Sequence, residues 1–391
     1  MANPPQPLAD FAARHAPTAV DIRRHLHPYP ETAWNEIETT QFIADKLSAL
    51  GLQPHVRPEG TGLYVDVGPG DPVVGFRADL DALGIQEEGT QPYVSQRAGI
   101  MHGCGHDVHS AIGYGVAAVL SELDDMRGGV RIVFQPAEES IPGGARILVG
   151  EGIHQGLHAM LAYHVDPALE PGKVGLRTGG ITSASDRFTV TLEGPGGHTS
   201  RPHQTVDMAY AAGKVVVELP WMLRQSVDPR EALAIVFGSI EAGKVANVIP
   251  TTARLQGTVR VFDMTLWREM ATMLEKAVAD IVTPLGASFE VNYHRGSPPV
   301  INDGAVTAAV REVAVQQLGE DNVVDTHQSL GSEDFAWFLE QVPGSLIRLG
   351  ASIPGHDVDL HSARFDVDES CIETGMVVGA ASMLDLLDSY L

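Results

Sequence analysis

Three stretches of the chain carry residues that could do chemistry. The loop Met101–His109 reads MHGCGHDVH and holds Cys104, His106, Asp107 and His109. Cys104 and His106 form a C-x-H pair, close enough for a thiolate and an imidazole to reach one metal cluster. A helix N-terminus and a cation nearby would favour the thiolate, the form that binds metal. The competing reading is a small buried hydrophobe with incidental histidines. Glycines on both sides, and carboxylates at neighbouring strand ends, favour the metal.

The second stretch is the adjacent pair Glu138–Glu139, which follows QPA. On a solvated helix such a pair is ordinary surface. After a buried strand and Pro136 it suits a metal-dependent hydrolase. That chemistry needs one carboxylate on the metal and another to take a proton from the attacking water. His164, in YHV, and His361, in DLHSARF, each suit a structural histidine and gain a ligand role only as members of the set. Thiolate, imidazole and carboxylate together suit zinc, with manganese, cobalt and nickel also compatible. Five candidate ligands exceed the needs of one tetrahedral ion. Two ions about 3.5–4 Å apart accommodate them better.

The third stretch is GPGGHTSRPH, with His198 and His203 among glycines. His198 could lend a hydrogen bond or positive charge to the oxyanion of a tetrahedral intermediate. Asn247, in KVANVIP, and Arg260 could hold a substrate amide or carboxylate. A guanidinium is well shaped for bidentate carboxylate binding, although Arg260 could equally be a strand-surface charge.

Elements must place these groups together. Residues from Pro7 to Leu50 alternate at helical spacing up to Gly51, a helix stop. Short apolar runs follow at Leu63–Val67, Val73–Phe76, Val130–Phe134 and Met160–Tyr163, with helical stretches Ser110–Leu123 and Ala145–Gly150. This alternation predicts an α/β fold with a mainly parallel sheet flanked by helices. Each polar cluster directly follows an apolar run: Arg77, Asp79 and Asp81 after Phe76, Glu138 and Glu139 after Phe134, His164 and Asp166 after Tyr163. In open α/β sheets ligands bind outside the carboxyl ends of the strands, so one rim should hold all three clusters.

From Ser185 the pattern changes. Strands at Arg187–Leu192, Ala232–Ile240, Thr251–Val261 and Ser288–Tyr293, with helices at Val206–Leu223 and Leu266–Leu285, follow the order β-α-β-β-α-β. That is the split βαβ of a ferredoxin-like α+β domain. The α/β character returns after Pro298 and Pro299, and Asp368–Leu391 reads as a closing helix capped by Asp368. The expected organisation is a discontinuous catalytic domain, 1–182 and 297–391, with an inserted domain at 183–296.

Composition bounds the partners. The chain has 391 residues, 26 Lys+Arg against 50 Asp+Glu, and a formal net charge of −24. Phosphate backbones and anionic lipid surfaces should repel it, so nucleic acid and membrane are disfavoured as partners. At 44% hydrophobic residues the chain can build a sizeable core. The N-terminal sequence has no basic region followed by an apolar one, and no apolar run approaches the roughly 18–20 residues of a membrane span. Two cysteines, Cys104 and Cys371, make no disulfide framework, which points to a reducing cytoplasm.

Taken together these residues resemble the M20 family of metallopeptidases and amidohydrolases, in particular the subgroup with hippurate hydrolases, auxin-conjugate amidohydrolases and N-acyl amino acid deacetylases. The resemblance runs from RRHLHPYPETAWNE (Arg23–Glu36) through FRADLDAL, MHGCGHDVH, FQPAEE, YHV, GGHTSRPH, NVIPTTARLQGTVR and GSEDF to LHSARFDVDE. It implies that Cys104, His106, Glu139, His164 and His361 are metal ligands and Glu138 the general base. Asp79 would support the metal cluster and orient a ligand. Asn247 would contact substrate, and His198 would belong to an inserted domain that also mediates homodimerisation.

The implied reaction is hydrolysis of an N-acyl amino acid, or a dipeptide-like amide, to a carboxylic acid and a free amine. Two divalent ions would lower the pKa of the attacking water from about 16 toward 7. Glu138 would take its proton and return it to the leaving amine. Two rivals remain: a thiol amidase with Cys104 as nucleophile, and a metal-dependent protein that binds acylated amino acids without cleaving them.

Overall fold

The computed structural model describes residues 6–391. The reading of the extreme N-terminus rests partly on residues 1–5, which lie outside the described residues. The chain divides into two compact units. One comprises Gly180–Ile301 and Gln328–Glu333; the rest of the chain forms the other.

The first unit is built on an eight-stranded sheet. Its strands run in the order His55–Val56, Leu63–Val67, Gly129–Gln135, Pro72–Asp79, Ala159–Asp166, Gly344–Gly350, Val174–Leu176, Val323–Asp325. Pro72–Asp79 is parallel to both of its neighbours, and Gly344–Gly350 is parallel to Ala159–Asp166. These central strands are buried along nearly their whole length. That is why they read as continuous apolar runs rather than alternating ones. The strand edges extend beyond the apolar runs because Arg77, Asp79 and Asp166 continue the ladders as polar residues.

The helices Gln6–Leu26, His106–Ser121 and Ser370–Tyr390 pack against one another. Glycines let two of them approach closely. A Cβ on Gly115 would lie 2.4 Å from Met376, and one on Gly375 would lie 2.7 Å from Ile112. The closing helix begins at Ser370, so its N-cap position is Glu369, which makes no side-chain cap bond; Asp368, the expected cap, lies one residue earlier and accepts the Ser370 N–H at 2.9 Å. At 21 residues this helix is long and apolar enough to cross a membrane, against the sequence reading. Its apolar residues, among them Ile372, Met376, Val378 and Leu386, are buried in the core, which accounts for its composition.

The continuous helical segment expected over Pro7–Leu50 is instead two helices, Gln6–Leu26 and Ile37–Ala49. Pro28 and Pro30 fall in the break, where missing N–H groups and restricted preceding residues oppose helix. The break carries His27, Glu31 and Glu36, all buried.

The second unit has a four-stranded antiparallel sheet in the order Leu233–Ala242, Thr252–Val261, Asp186–Glu193, Ser288–His294. Helices Met208–Gln225 and Met264–Val282 complete the βαββαβ order. Asp207 and Asp263 cap them by accepting the N–H groups of Tyr210 and Leu266. Alternating burial along Asp186–Glu193 and Thr252–Val261 marks a sheet with one covered face.

Candidate metal centre

The first unit brings seven of the expected residues together at the carboxyl ends of its central strands. Asp79 ends Pro72–Asp79, and Glu138 and Glu139 follow Gly129–Gln135. His164 lies near the end of Ala159–Asp166. Cys104 and His106 enter from the loop before the helix His106–Ser121. Gly105 makes this entry work. Its φ of +82° is left-handed, and a Cβ there would lie 2.4 Å from Val165 Cγ2. His361, itself at φ +62°, is tied to the same loop by its N–H, which donates to Gly103 C=O at 2.8 Å.

Donor atoms converge on two overlapping groups. Cys104, Glu139 and His361 place one ligand atom each within 4.8 Å of one another, as do His106, Glu138 and Glu139. Glu139 is common to both. Cys104 Sγ lies 3.5 Å from His164 Nε2 and 3.3 Å from His361 Nε2. His361 Nε2 is also 3.3 Å from Glu139 Oε1. His164 Nδ1 donates to Val165 C=O at 2.8 Å, which leaves the lone pair of Nε2 facing the thiol. Burial, with Arg348 and His109 nearby, holds His164 well below the ordinary histidine range, so it is a neutral imidazole.

Asp79, His106 and His109 are close enough for a third group, but the valences of Asp79 and His109 are spent internally. Val165 N–H donates to His109 Nε2 at 3.0 Å, so Nδ1 carries the proton and donates to Asp79 at 2.7 Å. Arg77 binds the other Asp79 oxygen at 2.6 Å. Burial opposes the Asp79 charge, but His106, His109 and Arg77 outweigh it and hold the carboxyl well below its usual range. Burial likewise opposes a charged His106, yet Asp79 and Asp81 hold it well above the histidine range.

A helix N-terminus and a nearby cation together are expected to favour a Cys104 thiolate, and the fold supplies the first of them. Burial pushes Cys104 up to about 12, and the charges of Glu139 and Asp79 reinforce the shift against His106. The helix N-terminus does not by itself provide a thiolate; a cation at Sγ would have to. A cation fits this donor set. Glu139 Oε1 is buried and has no well-formed hydrogen bond among the described residues, only the ion-pair contact with His361 at 3.3 Å. Two imidazole Nε2 atoms face Sγ, and the rim is rich in carboxylates.

Three groups have a positioning role that the sequence did not assign: Asp81, read only as part of the rim cluster, and Asp334 and Glu36, read with no role at all. Asp81 accepts the N–H groups of Glu138 (3.0 Å) and Glu139 (2.9 Å), and its Oδ1 lies 3.2 Å from His106 Nδ1. Its place two residues after Asp79 in RADLD was the available signal. Asp334 donates its N–H to Glu138 Oε1 at 3.2 Å. The Asp334 carboxylate binds Arg77, Gln135 and the Ala145 N–H. Glu36 accepts the Ala137 N–H at 2.7 Å. Burial, with Asp81 nearby, pushes Glu36 up to about 7.

A second buried network braces the start of the helix His106–Ser121. Arg23 binds Asp107, Asp366 and Glu369, and His27 Nδ1 lies 2.8 Å from Asp107. Burial opposes the charged His27, but Asp107 and Glu87 raise it to about 9 against the like charge of Arg23.

His198, Asn247 and Arg260 lie in the second unit. His198 belongs to a two-residue strand paired with Val248–Ile249 and is exposed. Ser200 N–H donates to its Nδ1 at 3.1 Å, so Nε2 carries the proton as an available donor. Asn247 is exposed, and its C=O accepts the Thr199 N–H at 3.3 Å. Arg260 is at the far end of Thr252–Val261, where Nη1 donates to Leu330 C=O at 2.9 Å.

Comparison with known proteins places this geometry. Residues 75–385 match the model of peptidase family M20/M25/M40. The chain is 37% identical over 375 residues to the N-acetyl-L-cysteine deacetylase of Bacillus subtilis, covering 95% of this chain and 88% of that protein. It is 41% identical over 360 residues to a Rhodococcus jostii protein named as a glutamate–cysteine ligase; the match covers 91% of this chain but 45% of that longer protein. Among solved structures, the YXEP protein of Bacillus subtilis, described as a dinuclear metal-binding peptidase of the M20 family, superposes with a TM-score of 0.84. Its identity is 31%, over 97% of this chain and 99% of that one.

Proposed function

The chain belongs to peptidase family M20/M25/M40, and we propose that it is a metal-dependent amidohydrolase that releases amino acids from N-acyl conjugates. The observation that carries this reading is the pair of donor groups sharing Glu139, with a second carboxylate, Glu138, beside them and held by the Asp334 N–H. A protein that only binds its ligand has no need of that second carboxylate. The deacetylase relative supports an N-acyl amino acid as substrate.

Cys104, His106, Glu139, His164 and His361 would hold two divalent ions, Zn²⁺ or Mn²⁺, with Co²⁺ and Ni²⁺ also suited to the donor mixture. When bound, such ions polarise an amide carbonyl and acidify water. Glu138 takes the proton from the attacking water and hands it to the leaving nitrogen. The Asp334 N–H keeps the Glu138 carboxylate oriented between these transfers. Asp79 fixes His109 and Arg77 and thereby the rim. Nε2–H of His198 is suited to an oxyanion, the Asn247 amide to a substrate amide, and the Arg260 guanidinium to a substrate carboxylate.

Catalysis falls to the first unit, and substrate contacts and homodimerisation to the second. Tyr210, Val217 and Trp221 are exposed along one helix, with Val236 and Ile240 exposed on the edge strand packed against it, which supports a second copy as partner. Two free, buried cysteines support a reducing, cytoplasmic setting. The direct test is release of amine from N-acetyl and N-benzoyl amino acids by protein loaded with each of the four ions. No turnover of any of these by any loaded form would overturn the reading.

A further inference from the structure

The turn Pro136–Glu139 is gripped by two carboxylates that take no part in the proton transfers above. Glu36 Oε1 accepts the Ala137 N–H at 2.7 Å, and the two oxygens of Asp81 accept the next two N–H groups in the chain. Three consecutive N–H groups thus converge on anionic oxygens, a nest filled by the protein's own side chains. Ala137 sits at φ +55°, a left-handed conformation that residues with a Cβ rarely adopt. Among the described residues, the other non-glycine residues with positive φ are Trp34, two residues before Glu36, and His361. Such conformations persist only where the surroundings over-determine them. On the opposite side of the turn, Gly144 N–H donates to Ala137 C=O at 2.9 Å, and a Cβ on Gly144 would lie 1.8 Å from Pro136 O.

Glu36 comes from the start of the helix Ile37–Ala49, about a hundred residues earlier in the chain. It is fully buried, and its Oε2 has no hydrogen-bond partner among the described residues. Burying a carboxylate with one oxygen unpartnered is unfavourable, and the bond that Oε1 makes to the Ala137 N–H offsets part of that cost.

We propose that Glu36 is a positioning residue: by capturing the Ala137 N–H it locks the left-handed turn and so aims the Glu138 carboxylate. This rests on the reading of Glu138 as the base. Glu36→Met keeps the side chain's bulk and removes the acceptor. It should lower kcat roughly 10–100-fold and leave KM within about twofold. Metal content should be unchanged, and hydrogen exchange at the Ala137 amide should accelerate. Glu36→Gln retains an oxygen acceptor and should keep kcat within about threefold, with the amide protected. Adding Ala137→Gly to the methionine variant should restore at least about fivefold, because glycine adopts the turn unaided.

A methionine variant with wild-type kcat, or one with an unchanged exchange rate, overturns the proposal. So does a glutamine variant whose Ala137 amide exchanges freely, which decides the matter even if the methionine variant does not fold. Exchange needs no turnover, so a wild-type protein inactive on N-acyl amino acids sinks the functional reading and leaves this test intact.

Discussion

The two units treat their candidate residues in opposite ways. In the first, Asp79, Cys104, His106 and His164 are buried, and most of their valences are assigned to named partners. In the second, His198 and Asn247 are exposed and Arg260 is half-buried, each with few bonds. Groups that must shift charge at a fixed geometry are locked on strand ends, where low dielectric strengthens every interaction. Of the groups that would meet a substrate, His198 and Asn247 sit on a two-residue strand and a loop that can adapt to it, while Arg260 sits near the end of an interior strand.

The largest effect expected tests the first unit as a metal site. Dialysis against a chelator should abolish amide hydrolysis, and a divalent ion should restore it; activity that survives chelation would favour a Cys104 nucleophile instead. Next, Glu138→Gln should keep both ions and lose roughly 10²–10⁴-fold in kcat. Full activity in that variant removes the general base and with it the contrast between the units.

His198→Ala asks whether an exposed residue can also be catalytic. Its kcat should fall about 10²-fold, while stability should stay within about 0.5 kcal/mol because the side chain is exposed. A stability loss without a rate loss would make His198 structural.

The smallest effect concerns the buried brace of the first unit. His27 is raised to about 9 from an ordinary 6.5. Its stabilising contribution is therefore complete below about 6.5 and is lost as pH rises through about 9. The groups facing it are Asp107, Glu87, Arg23, Tyr93 and His102. Thermal melts from pH 6 to 10 should show a stability decline of order 1–3 kcal/mol that flattens in His27→Gln. Equal slopes in both proteins would show that His27 does not titrate with folding.

Much of this molecule is written in local pattern. The run Leu63–Val67 is a strand with those bounds, Val130–Phe134 lies inside a strand one residue longer at each end, and Met160–Tyr163 covers half of the strand Ala159–Asp166. Apolar stretches ended by turn residues have few other ways to bury themselves. The polar residues just beyond such stretches pointed to the rim for the same reason. The helical periodicity of Pro7–Leu50 was misleading. Proline at 28 and 30 breaks the helix, whereas Pro17 sits inside Gln6–Leu26, so the residue type alone does not decide.

By itself, then, the sequence determined many of the strands and helices up to Tyr293 and the types of side chain at the strand ends, because periodicity and turn chemistry act over a few residues; Gly304–Leu318, Val323–Asp325 and Gly344–Gly350 were not read from it. Only the tertiary structure decided which polar groups serve the site and which support it. Glu36 and Asp334 carry no local sign of their roles, and the strand-end position of Asp81 places it at the rim without saying what it holds. Each acts through a hydrogen bond to the turn Pro136–Glu139 from a segment distant in the chain. The protonation of Cys104 was likewise decided there. Burial, a property of the packed core, pushes the thiol up, so the thiolate suggested by its neighbours in sequence requires a cation at Sγ.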